Sequence, residues 1–140
     1  MTDAFVRDCR GTQIANTLSR LSDDERETLT TYRDLLLHQI PDRLRRLILY
    51  GSRARGDAAP ESDLDIAVIL TGRDQPMTDG RRPAPFSDPV WQAIVNAACD
   101  VSLSQGIYIS PVVLTEDRLE EESAFVRTIR AEGVEVWRQN

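Results

Sequence analysis

The sequence contains no lysine, since all 17 of its basic residues are arginine. This absence excludes a lysine-dependent phosphate loop and Schiff-base chemistry on a lysine amine for these residues. Any clamp for an anionic ligand must therefore use arginine, whose planar guanidinium holds a phosphate group through two parallel hydrogen bonds.

Cysteine, histidine and long apolar runs are also scarce. The two cysteines, Cys9 and Cys99, lie far apart in the chain, which favours free thiols in a reducing compartment over a disulfide. The single histidine, His38, is expected at the surface of a helix end. No apolar run approaches the ~20 residues of a membrane helix, and the N-terminal residues MTDAFVRDCRGTQ lack the apolar segment of a signal peptide. We therefore expect a cytoplasmic protein with no membrane partner.

Acidic residues are in surplus, with a formal net charge of −6 and a pI of about 4.8. Nucleic-acid-binding domains usually carry a basic patch and a high pI, so no long nucleic acid is expected as a partner. The length and the hydrophobic fraction of 41% predict a single globular domain over residues 1–140. Within it, residues 1–11 are expected to be flexible, and residues 71–88 form a long loop without periodicity.

Helical and strand-like periods follow one another along the chain. Strands are predicted over residues 44–50, 64–70 and 107–114, with a short edge strand over 134–137. Helices are predicted from a capping box at Ser22 to Pro41, from Pro89 to Gly106, and from residue 115 to about 130 with a break near Ser123. This order predicts an α/β fold in which a small mixed sheet of three to four strands packs its helices mainly on one side.

The segment GSRARGDAAPESDLDIAVIL, residues 51–70, carries the clearest chemical signal. A Gly-Ser turn follows one apolar run, and Asp63 and Asp65 open the next. Side chains at i and i+2 of a strand point to the same face, so the two carboxylates should converge while Leu64 enters the core. Magnesium is commonly held by one or two carboxylates together with substrate phosphates. The segment therefore predicts a site for phosphates and a divalent metal.

This pattern resembles the signature of the DNA polymerase β-like nucleotidyltransferase superfamily, and most closely that of its short stand-alone branch, the minimal nucleotidyltransferases. That signature is a GSxxRG turn, a short spacer and SDxD before an apolar strand, and the resemblance spans residues 47–70. It implies the polymerase β-like fold and a transferase that uses ATP or another nucleoside triphosphate with Mg²⁺, two ions being possible.

The resemblance also implies roles for individual residues. The expected site residues are Gly51, Ser52, Arg53 and Arg55 for the triphosphate, and Asp63 and Asp65 for catalysis and metal binding. Active members of the superfamily carry a third acid on the next core strand. The strand predicted here over 107–114 has none, and Tyr108 or Ser110 would occupy the matching face. Asp100, the nearest acid upstream, is expected late on the preceding helix.

Three functions are compatible with these observations. The first is a magnesium-dependent enzyme that transfers AMP from ATP to a protein partner, such as the antitoxin that modifies a separate helical HEPN toxin. The second is a degenerate module that binds a nucleotide or a partner without turnover, which the missing third acid favours. The third is transfer to a small molecule, which usually requires a second helical domain that 140 residues leave no room for.

Overall fold

The computed structural model describes residues 21–55, 63–71, 89–121 and 123–139. The strands are β1 (Leu44–Tyr50), β2 (Leu64–Leu70), β3 (Ile109–Thr115) and β4 (Val134–Arg138). The helices are α1 (Asp23–Gln39), α2 (Ser52–Arg55), α3 (Pro89–Gln105), α4 (Glu116–Leu119) and α5 (Ala124–Glu132). The predictions for residues 1–11, and for the long loop from residue 72 onward, lie outside the described residues.

The four strands form one mixed sheet in the order β3-β2-β1-β4. Strand β1 is antiparallel to both β2 and β4, whereas β2 and β3 are parallel. The end of β1 therefore lies beside the starts of β2 and β4, and the start of β3 falls at the same end of the sheet. This arrangement confirms the predicted α/β fold with a small mixed sheet.

The larger core lies between one face of the sheet and the two 17-residue helices α1 and α3. Tyr32 and Leu36 of α1, Ile94 of α3, and Leu49 and Ile66 of the sheet are all fully buried. The Tyr32 hydroxyl donates a hydrogen bond of 3.1 Å to the Ile94 carbonyl, which joins the two helices. Among the described helices, none is long and apolar enough to cross a membrane.

A smaller core lies on the opposite face of the sheet, under α4 and α5. Ile48 and Ile69 of the sheet pack there with Val126 and Ile129 of α5. Gly133 allows this close packing, because a Cβ added to it would overlap the Ile129 carbonyl and lie 2.7 Å from Cγ2 of Ile48. The two long helices thus cover one face of the sheet, and the shorter helices α4 and α5 cover the other.

Helix α1 begins at the predicted capping box, and α5 begins at a side-chain cap where a break between helices was predicted. Ser22 and Glu25 form the capping box of α1, and the Ser123 hydroxyl accepts from the Val126 amide at the start of α5. One strand begins later than predicted: β3 starts at Ile109 rather than at residue 107. The Ile109 amide donates to the Ser102 hydroxyl at 2.9 Å, so helix α3 anchors the point where the strand begins.

Candidate functional site

Four segments of the chain meet at one end of the sheet. Tyr50 at the end of β1 pairs with Asp65 on β2, and Asp65 pairs in turn with Ser110 on β3. On the other side of β1, Leu49 pairs with Val134 at the start of β4. The Gly-Ser turn after β1, the two aspartates and the end of α5 are therefore neighbours, although the sequence separates them.

Asp65 lies on the face of β2 that strand alternation predicts, whereas the direction of Asp63 stays a prediction. Leu64 is fully buried in the larger core. Asp65 consequently projects from the opposite face and is half-buried, while Asp63, one residue before the strand, is exposed. The Asp65 carboxylate therefore lies on the face that carries α5, and Asp63 precedes it at the same end of the sheet.

Gly51 adopts a positive φ of 78°, which side chains other than glycine rarely tolerate. A Cβ at this position would also overlap Oδ2 of Asp65 and lie 3.2 Å from its Cγ. Helix α2 begins directly afterwards at Ser52 and buries Ala54 in the larger core, which anchors the turn. The turn and the strand start are thus in direct contact.

Arg53 and Arg55 lie within α2, and their side chains fall outside the described part of the structure. Their assigned contact with phosphates stays a prediction. Ser52 is half-buried at the start of α2, and its contact with phosphates likewise stays a prediction.

The third strand offers no acid to this site. Strand β3 contains no aspartate or glutamate, and half-buried Ser110 is the residue paired with Asp65. Asp100 is exposed on α3, which packs on the face of the sheet opposite to Asp65. Because α3 continues to Gln105, Asp100 does not lie at a helix end from which it could approach.

Glu132, which sequence reasoning missed, is part of the same cluster. Its Oε1 accepts a hydrogen bond of 3.0 Å from the Gly51 amide. Burial, followed by the negative charges of Asp65 and Glu132, raises the pKa of the Tyr50 hydroxyl. The Tyr50 ring also meets Phe125 of α5 edge to face, with ring centres 5.7 Å apart. Only a prediction that β1 pairs with β4 could have placed Glu132 beside the Gly51 turn.

The available side chains fit a metal ion that takes some of its ligands from the protein and the others from the substrate. Across residues 21–55, 63–71, 89–121 and 123–139, no three His, Cys, Asp or Glu side chains are grouped closely enough to hold a metal ion. The protein would therefore contribute Asp63 and Asp65, and phosphate oxygens and water would complete the shell. Magnesium is commonly bound in this way.

The chain belongs to the nucleotidyltransferase domain family, whose profile matches residues 31–136. It is similar to two proteins of Methanocaldococcus jannaschii, each named "Putative protein adenylyltransferase". The first is 31% identical over 97 residues, which cover 69% of this chain and 83% of the relative. The second is 23% identical over 112 residues, which cover 79% and 95%.

A solved structure is also similar, a "putative nucleotidyltransferase from Sulfolobus solfataricus". It has 20% sequence identity and a TM-score of 0.45, over 91% of this chain and 88% of that one. The family match and the two relatives confirm the predicted superfamily and its general activity, nucleotidyl transfer. The assignment to the minimal branch and the pairing with a HEPN protein stay predictions.

Proposed function

We propose that this chain is a magnesium-dependent nucleotidyltransferase that transfers AMP from ATP to a protein partner. The observation that carries the proposal is the contact between the Asp65 carboxylate and the Gly51 turn, with Asp63 exposed two residues earlier at the same end of the sheet. A metal-binding carboxylate and a phosphate-binding turn must be neighbours if one metal-bound triphosphate is to engage both.

The residues of the site act mainly by positioning the triphosphate. Gly51 and Ser52 receive the β- and γ-phosphates, and Arg53 and Arg55 neutralise their charge, so that the α-phosphorus faces the acceptor. Magnesium, held by Asp63 and Asp65, would supply further neutralisation of the phosphates. The acceptor hydroxyl oxygen bonds to the α-phosphorus, and the bond from that phosphorus to the oxygen it shares with the β-phosphate breaks. Pyrophosphate leaves, and the hydroxyl proton passes to water.

Two observations favour a protein as the acceptor. Both relatives from Methanocaldococcus jannaschii carry the name of a protein adenylyltransferase. The net charge of −6 disfavours long nucleic acid. A separate helical protein of the HEPN type, encoded beside this chain, is the acceptor we propose to test first, in which case the chain acts as a cytoplasmic antitoxin.

The test is co-expression of the chain with its genomic neighbour, followed by intact-mass analysis of that neighbour. We expect a nucleoside-monophosphate adduct on the neighbour with the wild-type chain, and none with Asp65→Asn. Asp100→Asn is the matched control, because it removes an exposed carboxylate on the opposite face of the sheet. An unmodified neighbour together with a labelled drug or sugar would contradict a protein acceptor.

A second function is favoured by one specific observation, the pairing of Asp65 with Ser110 on a strand without acids. Without a third carboxylate the acceptor hydroxyl lacks a positioned base, and the chain would bind a nucleotide without turning it over. Incubation with labelled ATP and Mg²⁺ separates the two functions. Bound ATP recovered unchanged, with and without the neighbour, would favour the binding module.

A further inference from the structure

Glu132 lies at a position where a carboxylate is electrostatically unfavourable. It is the last residue of α5, and the C-terminal end of a helix favours cations because of the helix dipole. Its Oε1 nevertheless reaches the Gly51 amide at 3.0 Å, in a partly buried contact. The hydrogen bond to the charged carboxylate offsets this cost.

The position of Glu132 is set by close backbone packing around the next residue. Gly133 has no Cβ, which lets the end of α5 approach Ile48 of β1. The Gly133 amide donates to the Ile129 carbonyl at 2.7 Å, and Val134 pairs with Leu49 one residue later. The backbone of Glu132 can therefore not move far unless the edge strand moves with it.

The Gly51 turn is consequently held by carboxylates on two sides. Glu132 accepts from its amide, and Asp65 fills the space next to its Cα. We propose that Glu132 is a positioning residue of the nucleotide site, whose carboxylate holds the Gly51 amide and thereby fixes the turn against Asp65. This inference rests on the proposed function, because it assigns the fixed turn to the binding of a metal-bound triphosphate.

The same geometry distinguishes a positioning role of Glu132 from a role as a metal ligand. Asp63, Asp65 and Glu132 do not form a group of three ligands in the described part of the chain. If Glu132 acts by holding the amide, the reach of its oxygen matters more than its charge, because the glutamine oxygen can still accept the hydrogen bond. Two conservative variants separate these properties: Glu132→Gln keeps the reach and loses the charge, and Glu132→Asp keeps the charge and shortens the reach by one methylene.

The test is calorimetric titration of both variants with ATP and Mg²⁺. Glu132→Gln should bind within about threefold of wild type, whereas Glu132→Asp should bind about tenfold more weakly, as the loss of one hydrogen bond to a charged group implies. The matched control is Glu120→Asp, which shortens an exposed glutamate after α4 and should leave the affinity unchanged. Thermal melts of all three establish that they fold.

Hydrogen exchange of the Gly51 amide, followed by NMR, provides a readout that does not need the nucleotide. Exchange should be faster in Glu132→Asp and unchanged in Glu132→Gln. Weaker binding in Glu132→Gln, or wild-type affinity in Glu132→Asp, would overturn the inference. If the wild-type chain binds no ATP, the proposed function fails, and amide exchange that is unchanged in Glu132→Asp would then overturn the positioning of the turn separately.

Discussion

The carboxylate of Asp65 lies against Cα of Gly51, in the space that any side chain at position 51 would enter. The two residues come from different strands, and the antiparallel pairing of Tyr50 with Asp65 brings them together. The proposed phosphate-binding turn and the proposed metal-binding strand are thus in contact, and a substitution in one should alter the structure of the other.

Gly51→Ala should damage both the fold and the site. A left-handed conformation costs a residue with a Cβ about 1–2 kcal/mol, and the overlap with Asp65 adds an overpacking cost of about 1–3 kcal/mol. We expect a lower free energy of unfolding in urea titrations and the loss of ATP binding in the presence of Mg²⁺.

The control for this variant is Gly106→Ala. Gly106 has nearly the same φ, 77°, but a Cβ there would meet no atom within 4 Å. The Gly106→Ala variant should lose only the stability that the left-handed conformation costs, and it should retain ATP binding. Equal losses of stability in the two variants would show that the contact with Asp65 does not constrain position 51.

Ser110→Asp should increase nucleotidyl transfer, because it places an acid beside Asp65 on the parallel strand. A positioned general base typically contributes ~10²–10⁴-fold in rate, so a gain of at least tenfold is expected if Ser110 marks the missing acid. Thr115→Asp adds the same charge at the far end of β3, where the strand pairs with Leu70, and should give no gain. Initial rates with labelled ATP measure both, and an unchanged rate in Ser110→Asp would contradict the assignment.

The stability of the protein should fall as the pH rises above 10, and Tyr32 should account for part of the fall. Burial, with a smaller contribution from Cys99, raises the pKa of Tyr32 well above its ordinary value of 10.0. Between pH 10 and the raised pKa of Tyr32, the unfolded chain loses a proton that the folded protein keeps. The free energy of unfolding therefore decreases by about 1.4 kcal/mol per pH unit in this range.

Tyr32→Phe removes this titration and the hydrogen bond to the Ile94 carbonyl. It should be about 0.5–1.5 kcal/mol less stable than wild type at neutral pH. Above pH 10 its stability should fall less steeply, and Tyr50, whose pKa is also raised, leaves a residual slope. Urea unfolding at a series of pH values tests this, and parallel curves for the two proteins would contradict it.

Arg46→Ala should be strongly destabilising, because it removes a partner from a buried charge. Glu135 is only 2% exposed, and its Oε2 accepts from Nε of Arg46 at 2.5 Å. Arg138 remains, with its Nε 2.8 Å from Oε1 and its Nη2 donating a hydrogen bond of 3.2 Å to Oε2. Breaking a buried pair costs about 3–5 kcal/mol, and we expect the lower end because Arg138 stays.

Arg45→Ala is the matched control on the same strand. Arg45 pairs with Glu116 at 3.0 Å, and both side chains are at least 40% exposed. An exposed pair contributes at most about 1 kcal/mol, so this variant should unfold at nearly the wild-type urea concentration. Similar losses in the two variants would show that burial of Glu135 does not set the cost.

The sequence predicted those parts of the molecule that local patterns determine. The bounds of β1 and β2 follow from largely apolar segments that end at turn residues, and Leu64 separates the two aspartates in the sequence. The place of β4 could not be read in this way. Its pairing with β1, on the side away from β2, depends on contacts between residues far apart in the chain.

The role of Glu132 was missed for the same reason. Beside Gly133 it looks like the ordinary end of a helix, and only the pairing of β4 with β1 brings it to Gly51. Conversely, the absence of an acid from β3 was predicted from the sequence, which left Tyr108 or Ser110 open for the matching face. The register of the strands selects Ser110, which pairs with Asp65. Magnesium, ATP, the protein acceptor and a cytoplasmic location stay predictions.

Calorimetric titration with ATP, in the presence and absence of Mg²⁺, tests the central claim most directly. The account predicts that the wild-type chain and Asp100→Asn bind ATP more tightly with Mg²⁺, and that Asp65→Asn retains its fold but loses the magnesium-dependent part of the affinity. Equal affinity with and without Mg²⁺, or no binding to the wild-type chain at concentrations of ATP well above a typical KM of up to about 1 mM, would contradict it.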